Sequence, residues 1–497
     1  MNYIEEAKQL VKNLDQRMGP SSYDIAWLAR LRTSPNGNPR WPNLIEWLIE
    51  HQHLDGSWGG EIVYYHDRII CTLAAVIALR ENGYGRTVDQ AIQRAEQYLW
   101  RHLHLLSQDP FELSGFELIF PTLLGEARSL GLDTPTHSYG YGKIQTAKLR
   151  LIPRGMLYSP HISTVYSLEF LGRSGDPERL QEALTSTGSL GTSPATTAYY
   201  LLLSHHDDRA LSYLETVQNH MEHVITVYPF RTFELTWVLN NLAFSGLPLT
   251  TFADQEIWQE LQNVLGPTGA GMDTEFGIPD GDTTSVCCRL LLAAGYNVDP
   301  LTLARFEDKR KGVFRTWDYE RNVSVSTNAH ALEALHLMPN YPDKHRVQEQ
   351  IVIMLLDNRK YNVYWIDKWH ASPYYATSHA LVALLKVGSH LALAHRHVID
   401  WCLHTQRDDG SWGFFGKGTP EETAYALMAL LHCHRFEPID PDVLHRGADF
   451  LARTYSLDDA THPEFWIAKC LFTPYAVVRS TILAALILYS ETFGRSP

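Results

Sequence analysis

The sequence predicts an all-α protein made of two α/α-barrel domains, and three observations carry that expectation. A short apolar unit recurs, as "AVIAL" (75–79), "ALEAL" (331–335), "ALVAL" (380–384), "ALMAL" (426–430) and, more loosely, "ILAAL" (482–486). A longer stretch, "EWLIEHQHLDGSWGG" (46–60), returns as "DWCLHTQRDDGSWGF" (400–414), with Trp, Gln and "DGSWG" in register. Strand signals are scarce, since few segments alternate apolar and polar residues.

The middle three short units lie 49 and 46 residues apart, a period that fits a pair of helices. Each sits where apolar residues fall at helical spacing, and its alanines let neighbouring helices approach closely. In the longer repeat a helix ends, the chain turns at Asp-Gly, and a Trp folds back over the helix end. Pro- and Gly-rich connectors such as "LGPTGAGMDTEFGIPDGD" (265–282) separate the helical runs. Stacked helix pairs close into barrels rather than open sheets, and 497 residues are too many for one ordinary core. The expected division is an N-terminal helix in 1–18 that joins the second barrel, a first barrel over 19–245 and a second over 246–497.

Apolar content of 45% and charged content of 20% are those of a soluble globular chain. A net charge of −14 leaves no basic stripe for nucleic acid, and an anionic substrate would need a local cluster of cations. The six Cys show no paired spacing, as expected of reduced thiols. "HCHRFEP" (432–438) has no second ligand pair nearby to make a metal site. The opening "MNYIEEAKQLVKNL" carries acids and reads as an amphipathic helix, not a signal sequence. No apolar run reaches the roughly 18–20 residues of a membrane span, so a cytoplasmic location is expected.

One stretch stands apart: "GIPDGDTTSV" (277–286) sets Asp280 and Asp282 two apart, adds Thr283 and Thr284, and runs into the apolar "SVCCRLLLAAG". Taken alone, "PDGD" is a good turn and Asp-Thr-Thr an ordinary helix N-cap. It does not stand alone. "SSYDIAW" (21–27), "DGSWGGEIVYYHDR" (55–68), "SGFELIFPTLLGEA" (114–127), "YPFRTFELTW" (228–237), "DGDTTSV" (280–286), "WIDKWHASPYY" (365–375) and "QRDDGSWGFF" (406–415) follow in order. Together they resemble the landmarks of class II terpene cyclases, most of all the bacterial diterpene branch that includes halimadienyl (tuberculosinyl) and kolavenyl diphosphate synthases.

The resemblance implies a γ and a β α-barrel with the active site between them and the acid motif on β. The family's ionising domain is not expected, because the second acid of "DDxxD" is missing from "DDRAL" (207–211), "DDGSW" (408–412) and "DDATH" (458–462). Protonating an isolated alkene needs an acid stronger than imidazolium, kept dry. A buried carboxylic acid beside a second carboxylate meets that need, because desolvation and like-charge repulsion hold the proton. Asp282 matches the family's proton donor, with Asp280 ionised beside it and Thr283 where many members carry a third acid.

The same resemblance assigns the other roles. In plant copalyl diphosphate synthases a His and an Asn act with water as terminating base; Tyr166 in "TVYSLEF" (164–170) and Thr226 in "ITVYP" (225–229) take their places. Neither accepts a proton readily at neutral pH, which favours hydride and methyl shifts and a rearranged halimane or clerodane skeleton. In hopene cyclases a His matching Thr405 supports the acid; here Thr405 stands with His404 beside it. "KLRLIPRGML" (148–157) supplies Lys148 and Arg154 to grip the diphosphate, with Lys368 as a further cation. Trp365, Trp369, Tyr374, Tyr375, Phe230 and Phe233 are candidate cation-stabilising aromatics, each worth roughly 0.5–2 kcal/mol. "SQDPFELSGFE" (107–117) offers Asp109 and Glu112 to Mg²⁺, without a compact acid cluster.

The expected substrate is an isoprenoid diphosphate, geranylgeranyl diphosphate before farnesyl diphosphate. A downstream diphosphate-processing enzyme is the expected partner, with monomer and homodimer both open. A squalene–hopene cyclase would be longer, with more repeats and a membrane-docking patch. A protein prenyltransferase subunit would need an Asp/Cys/His zinc set that is not found, and a helical scaffold would have no use for Asp282.

Overall fold

The computed structural model describes residues 2–494 apart from 154, 222, 319, 389–391 and 457–461. Among the described residues the only paired strands are two short antiparallel hairpins, Glu307–Asp308 with Val313–Phe314 and Trp466–Ile467 with Leu471–Phe472. Everything else of size is helical, and the chain folds as two rings of paired helices.

In the second ring each helix packs on the next and the last on the first. They are Arg231–Leu242, Gly281–Ala293, Val325–Leu337, Pro373–Val387, Pro420–His434 and Tyr475–Phe493. Outer helices Gln255–Val264, Lys344–Asp357, Ala392–Thr405 and Pro441–Thr454 back them, and the N-terminal Tyr3–Lys12 packs on both Tyr475–Phe493 and Arg231–Leu242. The first ring joins Ser22–Ala29, Tyr65–Asn82, Phe116–Ser129, the 3₁₀ turns of 163–174 and Pro194–Ser204. Its outer layer is Pro42–Glu50, Arg86–His102, Tyr141–Leu151, Pro177–Glu182 and Asp208–Met221.

Two expectations need correction. Arg231–Leu242 falls in the stretch assigned to the first barrel but closes the second by packing on Gly281–Ala293 and Tyr475–Phe493; like Gly281–Ala293 it carries no Ala-Leu unit that would have placed it from sequence. Tyr475–Phe493 is long and apolar enough to cross a membrane, although the sequence scan, interrupted at Arg479, finds no such run. Of its apolar window 72% is buried, as suits an inner helix that is apolar nearly all round.

The inner helices start sharply. Ser21, Ser193, Asp280, Ser324, Ser372 and Thr419 each accept a backbone N–H of the first turn, and Pro follows the cap at 194, 373 and 420. The "DGSWG" repeat is a clasp: Trp58 and Trp412 are fully buried and donate their indole N–H to Leu48 and Cys402, near the end of the preceding outer helix. The turn needs its glycines, since Gly56 and Gly410 have φ of +96° and +90° and a Cβ on either would lie 2.5 or 2.3 Å from a carbonyl oxygen.

Candidate active site

A cavity lies between the barrels, where the starts of inner helices from both rings meet. Its deeper wall is aromatic: Phe233, Trp237, Tyr375, Trp466 and Phe472 line it, all largely buried. Its outer rim is charged: Glu112, Glu117, Lys148, Glu320, Arg321 and Lys368 line it there. Arg321 pairs with Glu112, Lys368 with Glu320, and the Lys148 ammonium lies 3.7 Å from Glu117.

Asp280 and Asp282 enter from the second barrel, buried at the first turn of Gly281–Ala293. Asp280 caps that helix, accepting the Thr283 N–H at 2.7 Å and the Thr283 hydroxyl at 2.8 Å. Burial raises its carboxyl to about 7 and the neighbouring Asp282 adds to the rise, while the Thr283 donors pull it down. Two carboxyls this close and this dry cannot both ionise cheaply, so the pair holds a proton near neutrality. Both Asp280 oxygens already accept from Thr283, and Asp282 lines the cavity beside it.

His330 completes the acid. Its Nδ1 lies 2.6 Å from Asp282 Oδ1 and its Nε2 2.8 Å from Nδ1 of His379. Burial above all, with the Arg289 charge adding to it, pushes His379 far below the usual histidine range, so it is neutral. A neutral His379 that donates from Nδ1 leaves its Nε2, which has no partner, as an unprotonated acceptor. His330 then donates from Nδ1 to Asp282 Oδ1, which leaves Oδ2 as the Asp282 oxygen that His330 does not engage, on a residue that lines the cavity. Beneath the pair, Arg289 and Lys386 hold Glu333 down at about 2 despite its burial, a fixed ionic floor to the dry site.

Residues 318–479 match the family model described as the squalene-hopene cyclase C-terminal domain. A type B diterpene cyclase of Mycobacterium tuberculosis is 33% identical, over 96% of this chain and 97% of its own. The chain belongs to the class II diterpene cyclases. A (+)-kolavenyl diphosphate synthase of Herpetosiphon aurantiacus is 29% identical over 97% of both chains. The solved ent-copalyl diphosphate synthase of Streptomyces platensis superposes with a TM-score of 0.82 at 28% identity, over 99% of this chain and 100% of that one. The protein is an enzyme of this class, and its two-barrel fold is that of its relatives.

The cyclase's cavity sorts the residues singled out from sequence. Asp280, Asp282, Thr283, Tyr166, Lys148, Lys368, Trp369, Tyr375, Phe233 and Glu112 line it. Seven others lie elsewhere. Trp365 is a third clasp: its N–H donates to Leu355, and its main-chain N–H is taken by the Thr377 hydroxyl as those of Trp58 and Trp412 are by Thr72 and Thr423. Tyr374 points to the outer layer, stacked on Trp401 at 4.5 Å with its hydroxyl on Thr405, so Thr405 supports Tyr374 rather than the acid. Its neighbour Tyr375 faces inward, because successive helical residues point about 100° apart. Phe230 is buried behind Phe233, which lines the cavity one turn on and stacks on Trp237 at 4.6 Å. Thr226 is buried behind Tyr166, whose hydroxyl donates to its carbonyl at 3.2 Å. His404 is exposed, and Arg154 lies outside the described residues.

Asp109 is also displaced, since it accepts the His66 N–H and faces His66 Nδ1, each at 2.7 Å, away from the cavity. Among the described residues no group of three or more His, Cys, Asp or Glu could hold a metal. Mg²⁺ bound with a diphosphate needs only one or two protein carboxylates, and at the rim Glu112 and Glu117 offer that many. Sequence reasoning missed His330, Arg321, Trp237 and Trp466. His330 did leave a signal: it stands one residue ahead of "ALEAL", as His379, Tyr425 and Thr481 stand ahead of the later units.

Proposed function

We propose that this cyclase protonates the terminal double bond of geranylgeranyl diphosphate from Asp282 and closes two rings with the diphosphate retained. The observation that supports it is the layout of one cavity, a buried carboxylic acid behind aromatic faces with cations at the opposite rim. The names of the relatives, a diterpene cyclase and kolavenyl and ent-copalyl diphosphate synthases, favour a C20 substrate. Asp282 Oδ2 gives its proton to the alkene, Phe233, Trp237, Tyr375 and Trp466 spread the cation's field without capturing it, and their burial excludes water. Lys148, Arg321 and Lys368 exchange their carboxylate partners for diphosphate oxygens, and Glu112 and Glu117 would hold Mg²⁺. When bound, the ion neutralises diphosphate charge.

The product we assign is a rearranged bicyclic diphosphate of clerodane or halimane type. The poor basicity of Tyr166 and Thr226 supports it: a cation that is not quenched early undergoes hydride and methyl shifts. The test is incubation with C15, C20 and C30 substrates and Mg²⁺, phosphatase treatment, and NMR of the alcohols. A bicyclic C20 alcohol with migrated methyls is expected. Linear geranylgeraniol alone, free diphosphate with hydrocarbon, or a drimane made only from farnesyl diphosphate would overturn the reading.

A further inference from the structure

A charge stands behind the aromatic wall of the cavity. Trp466, which lines the cavity, donates its indole N–H to Glu421 Oε1 at 3.0 Å, while Glu421 is wholly buried and does not line the cavity itself. His370 reaches the same oxygen, its Nε2 lying at 3.1 Å. His370 Nδ1 takes the Ser372 N–H at 3.1 Å, with the Ser372 carbonyl farther off at 3.3 Å, so Nδ1 is unprotonated, the ring is neutral and Nε2–H donates. The same imidazole stacks on Tyr375 at 4.6 Å, so two aromatics of the wall, Trp466 and Tyr375, rest on one carboxyl. An oxygen that accepts two N–H donors in the first turn of Pro420–His434 is that of a carboxylate. Among the described residues no Lys or Arg pairs with Glu421, and its Oε2 accepts nothing. Its neighbour Glu422 secures this helix start, accepting the Ser372 hydroxyl at 2.6 Å, the Phe414 N–H at 3.0 Å and the Thr419 hydroxyl at 2.9 Å. The helix therefore has no need of Glu421, and a buried carboxylate with a bare oxygen is expensive to keep.

We infer that Glu421 is the counter-charge of the carbocation, a positioning residue that acts through Trp466 and, by way of His370, through Tyr375. This rests on the function proposed above. An indole that donates its N–H to an anion is polarised by it and carries more electron density on its face, and a π face holds a cation in proportion to that density. The carboxylate's own field adds to this, because it is fixed in place before the reaction begins and no water screens it. When positive charge arises in the cavity, the opposite charge already stands behind the wall and nothing has to reorganise. The cost of burying Glu421 without a cation is thus offset only while the substrate is cationic. An interaction realised only then lowers the barrier instead of tightening the binding of neutral polyene. Nor can Glu421 capture the cation, because Trp466 and Tyr375 line the cavity and Glu421 does not.

The test compares two ligands of the full chain. One is a C20 diphosphate analogue in which the carbon that first becomes cationic is a tertiary amine, protonated at the assay pH; the other is its uncharged hydrocarbon counterpart. Calorimetry gives the Kd of each with Mg²⁺ present, and their ratio reads the wall's preference for positive charge. The wild type should favour the ammonium form. Glu421→Gln keeps the size and an oxygen for both N–H donors but removes the charge. In that variant the preference should fall about tenfold or more, the Kd of the neutral analogue should stay within about threefold, and kcat should drop with KM nearly unchanged. Glu421→Asp shortens the reach to both donors but keeps the charge, and should retain more of the preference than Gln. A merely structural Glu421 would give the reverse order, since Gln can keep the hydrogen bonds that Asp breaks. That order overturns the inference, as does a wild-type ratio in Glu421→Gln or a wild type with no preference for the ammonium form. If Glu421→Gln does not fold, Trp466→Phe, which cuts the carboxylate off from the wall, decides in its place: an unchanged ratio there overturns the inference and a lowered one supports it. A wild type that makes no cyclised product would instead overturn the proposed function itself.

Discussion

His330 shows how much one side chain can decide. Its hydrogen bond engages Oδ1 of Asp282, so in the proposed reaction Oδ2 is the oxygen left to deliver the proton. His330→Phe keeps the ring volume and removes the donor, so turnover should fall about 10²–10⁴-fold with the fold retained, by rate and far-UV dichroism. A loss below about threefold would strip His330 of that role, because an orienting donor contributes more than that. The pair also sets a pH limb. Asp280 is raised to about 7 by burial and by Asp282, so the shared proton is present below that pH and lost above it. Initial rates should therefore decline as pH rises through about 7, and a profile flat to pH 9 would contradict the shared proton. Asp282 was legible in the sequence because its "DxDTT" setting is distinctive. His330 was not, because a His inside an Ala-rich apolar run looks like core until the register of its neighbours is known. On four consecutive inner helices that register carries His330, His379, Tyr425 and Thr481, and Thr481 bonds both Tyr425 and, through Asn241, the helix that closes the ring.

At the scale of elements, one clasp is used three times, and the sequence displays only two of them. Trp58 and Trp412 follow "DGS", whereas Trp365 follows "YNVY", so the shared hydrogen-bonding pattern is hidden by a different turn. Its place beside "DKWH" then makes it look like a cavity aromatic. Trp365 and Trp369, four residues apart, should separate on substitution. Trp365→Leu empties a fully buried site and orphans the Leu355 carbonyl, costing about 3–5 kcal/mol of stability, while the product ratio holds. Trp369→Leu, at a half-buried wall position with Lys368 4.9 Å from its ring, should leave the melting temperature nearly unchanged and lower kcat/KM. Calorimetry beside product analysis checks both, and the reverse pattern would return Trp365 to the cavity. Helix starts follow a local rule of the same kind: Ser193-Pro194, Ser372-Pro373 and Thr419-Pro420 each fix a cap and first turn.

Across the whole molecule, the repeats specify each ring but say nothing of how the rings face each other, which is why the cavity wall was only partly foreseen. The structure sets helix starts against helix starts, and the Trp466–Phe472 hairpin of the second barrel reaches into the first. Its Lys469 is wholly buried, bonded to Glu169, Ser193 and Thr196 and lying 4.5 Å over the Tyr166 ring. In the proposed reaction Asp282 of one barrel and Tyr166 of the other face the same cavity across the junction. Such a division lets the product change without touching the acid. Tyr166→His combined with Thr226→Asn places a competent base at the wall, next to where the first bicyclic cation forms. Deprotonation should then outrun migration, and the product should shift from the rearranged skeleton toward an unrearranged labdane, seen by NMR as methyls still on their original carbons. If the double variant cyclises its substrate to the same rearranged diphosphate as the wild type, the timing of termination is set somewhere other than this wall.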